Sequence, residues 1–368
     1  MPNYLLTGAG FSRNWGGWLA SEAFEYLLGC RDVDGALRHK LWTNKNRGNG
    51  FEDTLGELQQ TYELNHDITI KNQLDTLISA LAGMFNAMTQ AFLQIPFEPS
   101  TRLQLSIASF LERFDAIFTL NQDTLLELHY LHTVVGRSRW SKAASPGIKP
   151  VNLHTTGLPM DRAAPSQPDP SAFSLTGGIQ PYIKLHGSAN WIGGPTSGRM
   201  LIMGSNKQVS IRQFPLLQFY HAEFERMLNV GASRLMVIGY GFGDKHINDI
   251  IGGAVDRGLK LFIVDPAGVD VIDKSKPAPI KVPDAYFEKV APSIIGASRR
   301  PFLSTFSTDI VEFNKLSGFF AGILPRLAPW QQPHRVTTDL ERTFNVERNA
   351  KPSCANHRRT VSPRGEEH

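Results

Sequence analysis

The sequence is poor in cysteine: Cys30 and Cys354 are the only two. Two thiols so far apart give no disulfide framework and no cysteine-built zinc site. They suit a reducing compartment, so a cytoplasmic location is expected. No run of about 18 apolar residues occurs, so no membrane span is expected. The opening Met1-Pro2-Asn3-Tyr4 leads straight into an apolar stretch, without the basic stretch and apolar region of a secretory leader. Charge of one sign is scarce as well. With 38 basic and 34 acidic residues the formal charge is +4, too weak a bias to demand or exclude a nucleic-acid partner.

What is present is enough to build a core. Hydrophobic residues make up 41% and charged residues 20% of 368 positions, which suits one large α/β domain with insertions or two ordinary domains. Tyr4 to Thr7 reads as a buried strand, and a helix is predicted from Trp18 to Gly29. From Phe51 to Gln94 the pattern is helical, with Leu74, Leu77, Leu81 and Phe85 making one apolar face. Another helix, Arg102 to Arg113, leads into a strand at Ala116 to Leu120. Trp140 to Pro181 holds seven prolines and reads as a long irregular excursion. Further strands are expected at Tyr182 to Leu185, Met200 to Met203, Arg234 to Ile238 and Leu261 to Val264. Helices are expected at Leu216 to Val230, His246 to Val255 and Thr305 to Leu324. Strands alternating with helices predict an α/β fold: a doubly wound, mainly parallel, Rossmann-like sheet with a helical insertion over about 40–98. The sheet domain is expected over 1–290, a helical segment over 291–330 and a polar, mobile or partner-dependent tail over 331–368.

In such a sheet, ligands bind at the carboxyl ends of the strands. Five polar stretches stand there. Gly8-Ala9-Gly10-Phe11-Ser12 allows a tight turn and brings backbone amides near a phosphate at a helix start, though position 13 is Arg13 where a dinucleotide fingerprint wants glycine. Asn121 and Asp123 face a common cleft or cap a helix. His186, before Gly187, is a general base at neutral pH or a hydrogen-bonded loop residue. Gly239, Gly241 and Gly243 alternate ahead of Asp244, His246 and Asn248, which suits close backbone approach to a ligand, with Asp244 alternatively a helix cap. Asp265 holds a ribose or, with Pro266 next, makes a turn. Together the five outline a nucleotide crevice.

These stretches carry a resemblance. Gly8-Ala9-Gly10-Phe11-Ser12 resembles the sirtuin Gly-Ala-Gly-x-Ser loop, and Thr119-Leu120-Asn121-Gln122-Asp123 resembles its Thr-Gln-Asn-Ile-Asp segment. Lys184-Leu185-His186-Gly187-Ser188 resembles the segment with the catalytic histidine. Residues 239–248 are similar to a motif of divergent bacterial sirtuin-like proteins of anti-phage defence. The resemblance spans about residues 3–270. It implies NAD as substrate, with Gly8, Ala9, Gly10 and Ser12 at the phosphate and ribose, and Asn121 and Asp123 on the nicotinamide side. It implies His186 as general base, with Gly239, Gly241 and Asp265 on the adenosine half. The family's four-cysteine zinc module is missing, so no metal is expected. Its Ile-Pro-Asp-Phe-Arg stretch is missing too; Trp15-Gly16-Gly17-Trp18 stands there. Both losses count against deacylation and leave glycosidic cleavage of NAD. The resemblance also implies control by homo-oligomer assembly or by a separately encoded partner, such as a HerA-type ATPase. Three other readings stay open: an ADP-ribosyltransferase or deacylase, an NAD- or ADP-ribose-binding assembly module, and nucleic-acid processing through the basic tail.

Overall fold

Seven short strands form one sheet. They are β1 (Asn3–Thr7), β2 (Ala116–Thr119), β3 (Lys142–Ala144), β4 (Ile179–Lys184), β5 (Arg234–Ile238), β6 (Lys260–Val264) and β7 (Ile294–Ser298). In this computed structural model the described residues are 1–48, 50–100, 105–131, 139–151, 159–193, 198–204, 207–272 and 284–321. The expected tail, the start of the expected 102–113 helix and Cys354 lie outside them. The strands run β7-β6-β5-β1-β2-β4-β3, and every neighbouring pair is parallel. The fold is therefore α/β and Rossmann-like.

The strands read as continuous apolar runs because both faces of the sheet are covered. Side chains alternate across the pleat. Leu5, Ile117, Tyr182, Met236 and Phe262 point into one core, while Leu6, Phe118, Ile183, Val237 and Ile263 point into the other. The first core is closed by α1 (Ala20–Gly29), α2 (Gly35–Asn46), α3 (Phe51–Asn65), α4 (Ile68–Gln94) and the C-terminal pair formed below. The second is closed by α5 (Pro215–Leu228) and α6 (Lys245–Val255).

The helical insertion is three helices rather than one pattern. Asp34 accepts from the Leu37 amide at 2.7 Å to start α2, and Asp53 accepts from the Gly50 amide at 2.8 Å to start α3. Such caps satisfy amides that a helix start leaves orphaned. Helix α4 is long and apolar enough to cross a membrane by length and composition. Here its Leu74, Leu77, Leu81, Met84, Phe85, Met88 and Phe92 stripe is buried in the first core.

Three expectations need correction. The Met200 to Met203 run does not join the main sheet. Its strand, Arg199–Leu201, runs antiparallel to Gly187–Ile192 in a separate four-stranded sheet. The Pro-rich excursion is not wholly irregular: it supplies β3 and two strands of that small sheet, Ile148–Pro150 and Ser166–Pro168. Finally, the last expected helix is two, α7 (Phe302–Ser307) and α8 (Ile310–Ala321), and β7 precedes them at the sheet edge.

The sheet order reverses beside β1: β2 lies on one side and β5 on the other. There the loop after β1 and the loop after β5 touch, backbone to backbone. A Cβ on Gly8 would sit 2.5 Å from the Gly239 oxygen, one on Gly10 2.7 Å from the Gly239 Cα, and one on Gly239 2.4 Å from the Gly10 carbonyl carbon. Gly239 also has a φ of +64°, in the region that favours glycine. Gly239→Ala should thus lower unfolding stability by at least ~2 kcal/mol. Gly243→Ala, where an added Cβ meets nothing within 4 Å, should stay within ~0.5 kcal/mol. Urea denaturation of the two variants checks both values.

Candidate functional site

The switch point opens into a cleft of about 610 Å³, within the roughly 300–1,000 Å³ usual for small-molecule sites. Gly8, Ala9, Gly10, Asn121, Asp123, His186, Gly239, Gly241 and Asp265 all line it. Only Ser12 of the expected site residues stands behind the wall, buried against Asn121. Phe51, Glu52, Met84, Phe85 and Met88 from α3 and α4 form the opposite wall. The helical insertion is therefore part of the site.

The glycine loops do a different job from the one expected. The Gly8 amide donates to the Ile238 carbonyl and the Gly10 amide to the Gly239 carbonyl, both at 3.0 Å. Those two amides are spent on the end of β5 and its loop, so neither is bare, while both glycines still line the cleft. The motif after β5 is likewise held from within. Tyr240 donates its hydroxyl to Asn248 Oδ1 at 3.0 Å, and Asn248 Nδ2 donates to the Phe242 carbonyl at 2.7 Å. That bond helps hold Phe242 at a φ of +53°, an uncommon conformation for a bulky residue. Trp15 is also structural: it stacks on Phe97 at 4.9 Å and donates to the Phe97 carbonyl.

Asn121 sits at the floor. Its amide accepts its place from the end of β2: the backbone N–H donates to Thr119 Oγ1 at 3.0 Å, and Nδ2 donates to Ser12 Oγ at 3.0 Å. Its Oδ1 is buried with no hydrogen-bond partner. An orphaned buried carbonyl costs about 1–3 kcal/mol, so this atom is one that a ligand donor would satisfy. Asp123 spends Oδ1 on the Leu125 amide at 3.0 Å, starting the short helix Leu125–His129. Asp265 accepts from the Ala267 amide at 2.7 Å. Both carboxylates thus make the local turn while also lining the cleft.

His186 is placed by the turn that follows it. Gly187 has a φ of +74°, and a Cβ there would lie 2.0 Å from the Met200 oxygen. The His186 carbonyl accepts from the Ile202 amide at 3.0 Å and from Gln122 Nε2 at 3.1 Å. Its Nε2 lies 3.0 Å from Nε2 of His246. A third imidazole, His221, lies 5.5 Å from the His246 ring and bonds the Leu185 carbonyl through Nε2 at 2.9 Å. Burial, helped by the Lys207 charge and the other two rings, pushes His186 well below the ordinary histidine value. Burial also lowers His246, against the pull of Asp244, and takes His221 down to about 4.

Lys207 bridges two carboxylates, Asp244 at 2.8 Å and Glu52 at 3.0 Å. Burial works against its charge, but the two carboxylates outweigh that and raise its pKa. Asp244 stands at the N-cap position of α6 yet makes no side-chain cap bond. Beneath the floor, Lys184 is fully buried and donates to the Asp123 carbonyl and, at 2.6 Å, to Glu127 Oε1. Burial pushes the Glu127 carboxyl up and Lys184 offsets part of that. His246, Lys207, Glu52, Gln122 and Lys184 were not among the sequence candidates. His246, Gln122 and Lys184 lay inside the motifs without an assigned role; Lys207 and Glu52, a lysine and a glutamate on helices, read as solvated surface.

No family model matches the chain, and no curated protein matches it.

Two outcomes follow from these buried groups. Lys184→Met should cost ~3–5 kcal/mol by stranding Glu127, and adding Glu127→Gln should restore much of that loss; chemical denaturation of the single and double variants measures it. For His221, the folded pKa of about 4 lies below the ordinary 6.5. The stability it confers is complete above pH 6.5 and is lost as pH falls toward 4, roughly 3 kcal/mol in all. His221→Gln should flatten the stability profile in that window, read from denaturation midpoints at stepped pH.

Proposed function

We propose that the chain is a sirtuin-like NAD glycohydrolase, releasing nicotinamide and ADP-ribose. One observation carries the reading: Asn121, whose buried Oδ1 has no hydrogen-bond partner, lines a cleft that also holds a buried histidine with a lowered pKa. A ribose hydroxyl or a water donating to Asn121 would sit in that cleft, beside its Met and Phe wall.

In this reading the N-glycosidic bond breaks and its electron pair leaves with nicotinamide. Positive charge grows on the ribose ring, and Asn121, through its oxygen, orients the hydroxyl or the incoming water. The water oxygen bonds to the ribose carbon and its proton passes to His186. His246, at 3.0 Å, takes up part of the resulting imidazolium charge, and Asp244 favours a charged His246. Lys207 places a cation beside the same cleft, suited to a pyrophosphate. Uncontrolled NAD loss is toxic, so the same reading includes an anti-phage effector held off until it assembles with copies of itself or with a HerA-type ATPase.

Incubation of the protein with NAD should release nicotinamide, followed by chromatography. Asn121→Ala and His186→Ala should each lower the rate by ~100-fold or more while the fold is retained by circular dichroism. Full activity in either variant removes that residue's assigned role. Tight ADP-ribose binding with no nicotinamide release from the wild type, alone or with its partners, would favour the binding module instead. Transfer of ADP-ribose to a protein would mark a transferase.

A further inference from the structure

Three ligand-type side chains converge at one edge of the cleft. His186 comes from the turn after β4, and Asp244 and His246 from the start of α6. One ligand atom from each lies within 4.8 Å of the others. The two imidazole nitrogens are 3.0 Å apart. Two nitrogens bound to one ion at about 2.0–2.1 Å stand about 3 Å apart when the angle between them is near 90°. A shared hydrogen and a shared metal ion therefore ask for a similar nitrogen separation, and small turns of the two rings would aim both lone pairs at an ion. His186 and Asp244 also line the cleft, so an ion there would keep a position open to water or substrate.

We propose that His186 Nε2, His246 Nε2 and an Asp244 oxygen form a site for a divalent transition metal, Zn²⁺ by preference, and that the ion silences the enzyme. Two imidazoles with one carboxylate suit Zn²⁺, Co²⁺ or Ni²⁺ better than Mg²⁺ or Ca²⁺, which seek all-oxygen shells. The silencing half rests on the NAD-cleavage reading. A metal takes the lone pair that His186 needs to accept a proton. The groups facing the site make the ion exchangeable rather than permanent. Lys207 already holds Asp244 Oδ1 at 2.8 Å, so metal and ammonium compete for one carboxylate, and Glu52 remains to keep Lys207. His221, beyond His246, bonds the Leu185 carbonyl and contributes no ligand.

The test is equilibrium dialysis of the chelator-treated full chain against Zn²⁺, alongside the NAD assay with and without chelator. The wild type should hold one Zn²⁺ that His246→Gln and Asp244→Asn each weaken at least ten-fold, with both variants folded by circular dichroism. Co²⁺ should give visible ligand-field bands that the same variants lose. Lys207→Met should bind Zn²⁺ more tightly. Added Zn²⁺ should stop nicotinamide release and chelator should restore it. A wild type that holds no Zn²⁺, or two variants that bind it unchanged, overturns the site whatever the turnover shows. Zn²⁺ that binds here and leaves or raises turnover overturns the silencing. Binding as expected in a protein that never releases nicotinamide would instead count against the glycohydrolase.

Discussion

The contact between Gly8, Gly10 and Gly239 is the constraint from which the site follows. Two strands of a parallel sheet stand side by side, and their following loops must either diverge or touch. Here they touch through main chain alone, with two amides of the first loop bonded to carbonyls at the end of β5 and in its loop. Any side chain at these positions would wedge the loops apart by more than the structure tolerates. Because the loops are fastened to each other, Asn121 and His186 on the next two strands face a fixed wall.

The polar floor is held with the same economy. Lys184 is fully buried, and its partners are a carboxylate and the carbonyl of Asp123. A buried pair of this kind contributes little net stability, since desolvation offsets most of the attraction. Its effect is positional. The chain around Asp123 has one arrangement that satisfies the ammonium, and Asn121 is two residues away. The cost of burying Lys184 is matched by a loop that does not wander.

The parts of the fold that the sequence revealed are those with a long or repeated pattern. β1, β2, β4, β5 and β6 are dense apolar runs, and each covers both cores. Helices α4, α5 and α6 have clear apolar stripes. β7 escaped notice because Ile294 to Ser298 is short and contains a glycine, which Phe262 covers. β3 escaped because Lys142-Ala143-Ala144 has no alternation to read. The site divides the same way. Residues directly after a strand were visible by position, so nine of the expected residues line the cleft. Lys207 and Glu52 were not, because each reaches the cleft from a helix, and Lys184 lies beneath it at the end of β4. Their importance lies in partners that only the folded chain supplies. Asp123 and Asp265 show the limit of position alone, since each also ties its own turn.

Lys207 joins two bodies as well as two charges. Glu52 belongs to the helical insertion and Asp244 to the start of α6, so one ammonium clasps one wall of the cleft to the other. Any outward swing of the insertion has to part Lys207 from one carboxylate or the other. Lys207 and Asp244 are about four-fifths shielded from water, so salt reaches the clasp less than it would an exposed pair. The Glu52 side is the more open of the two, and it is the side at which the insertion would lift first.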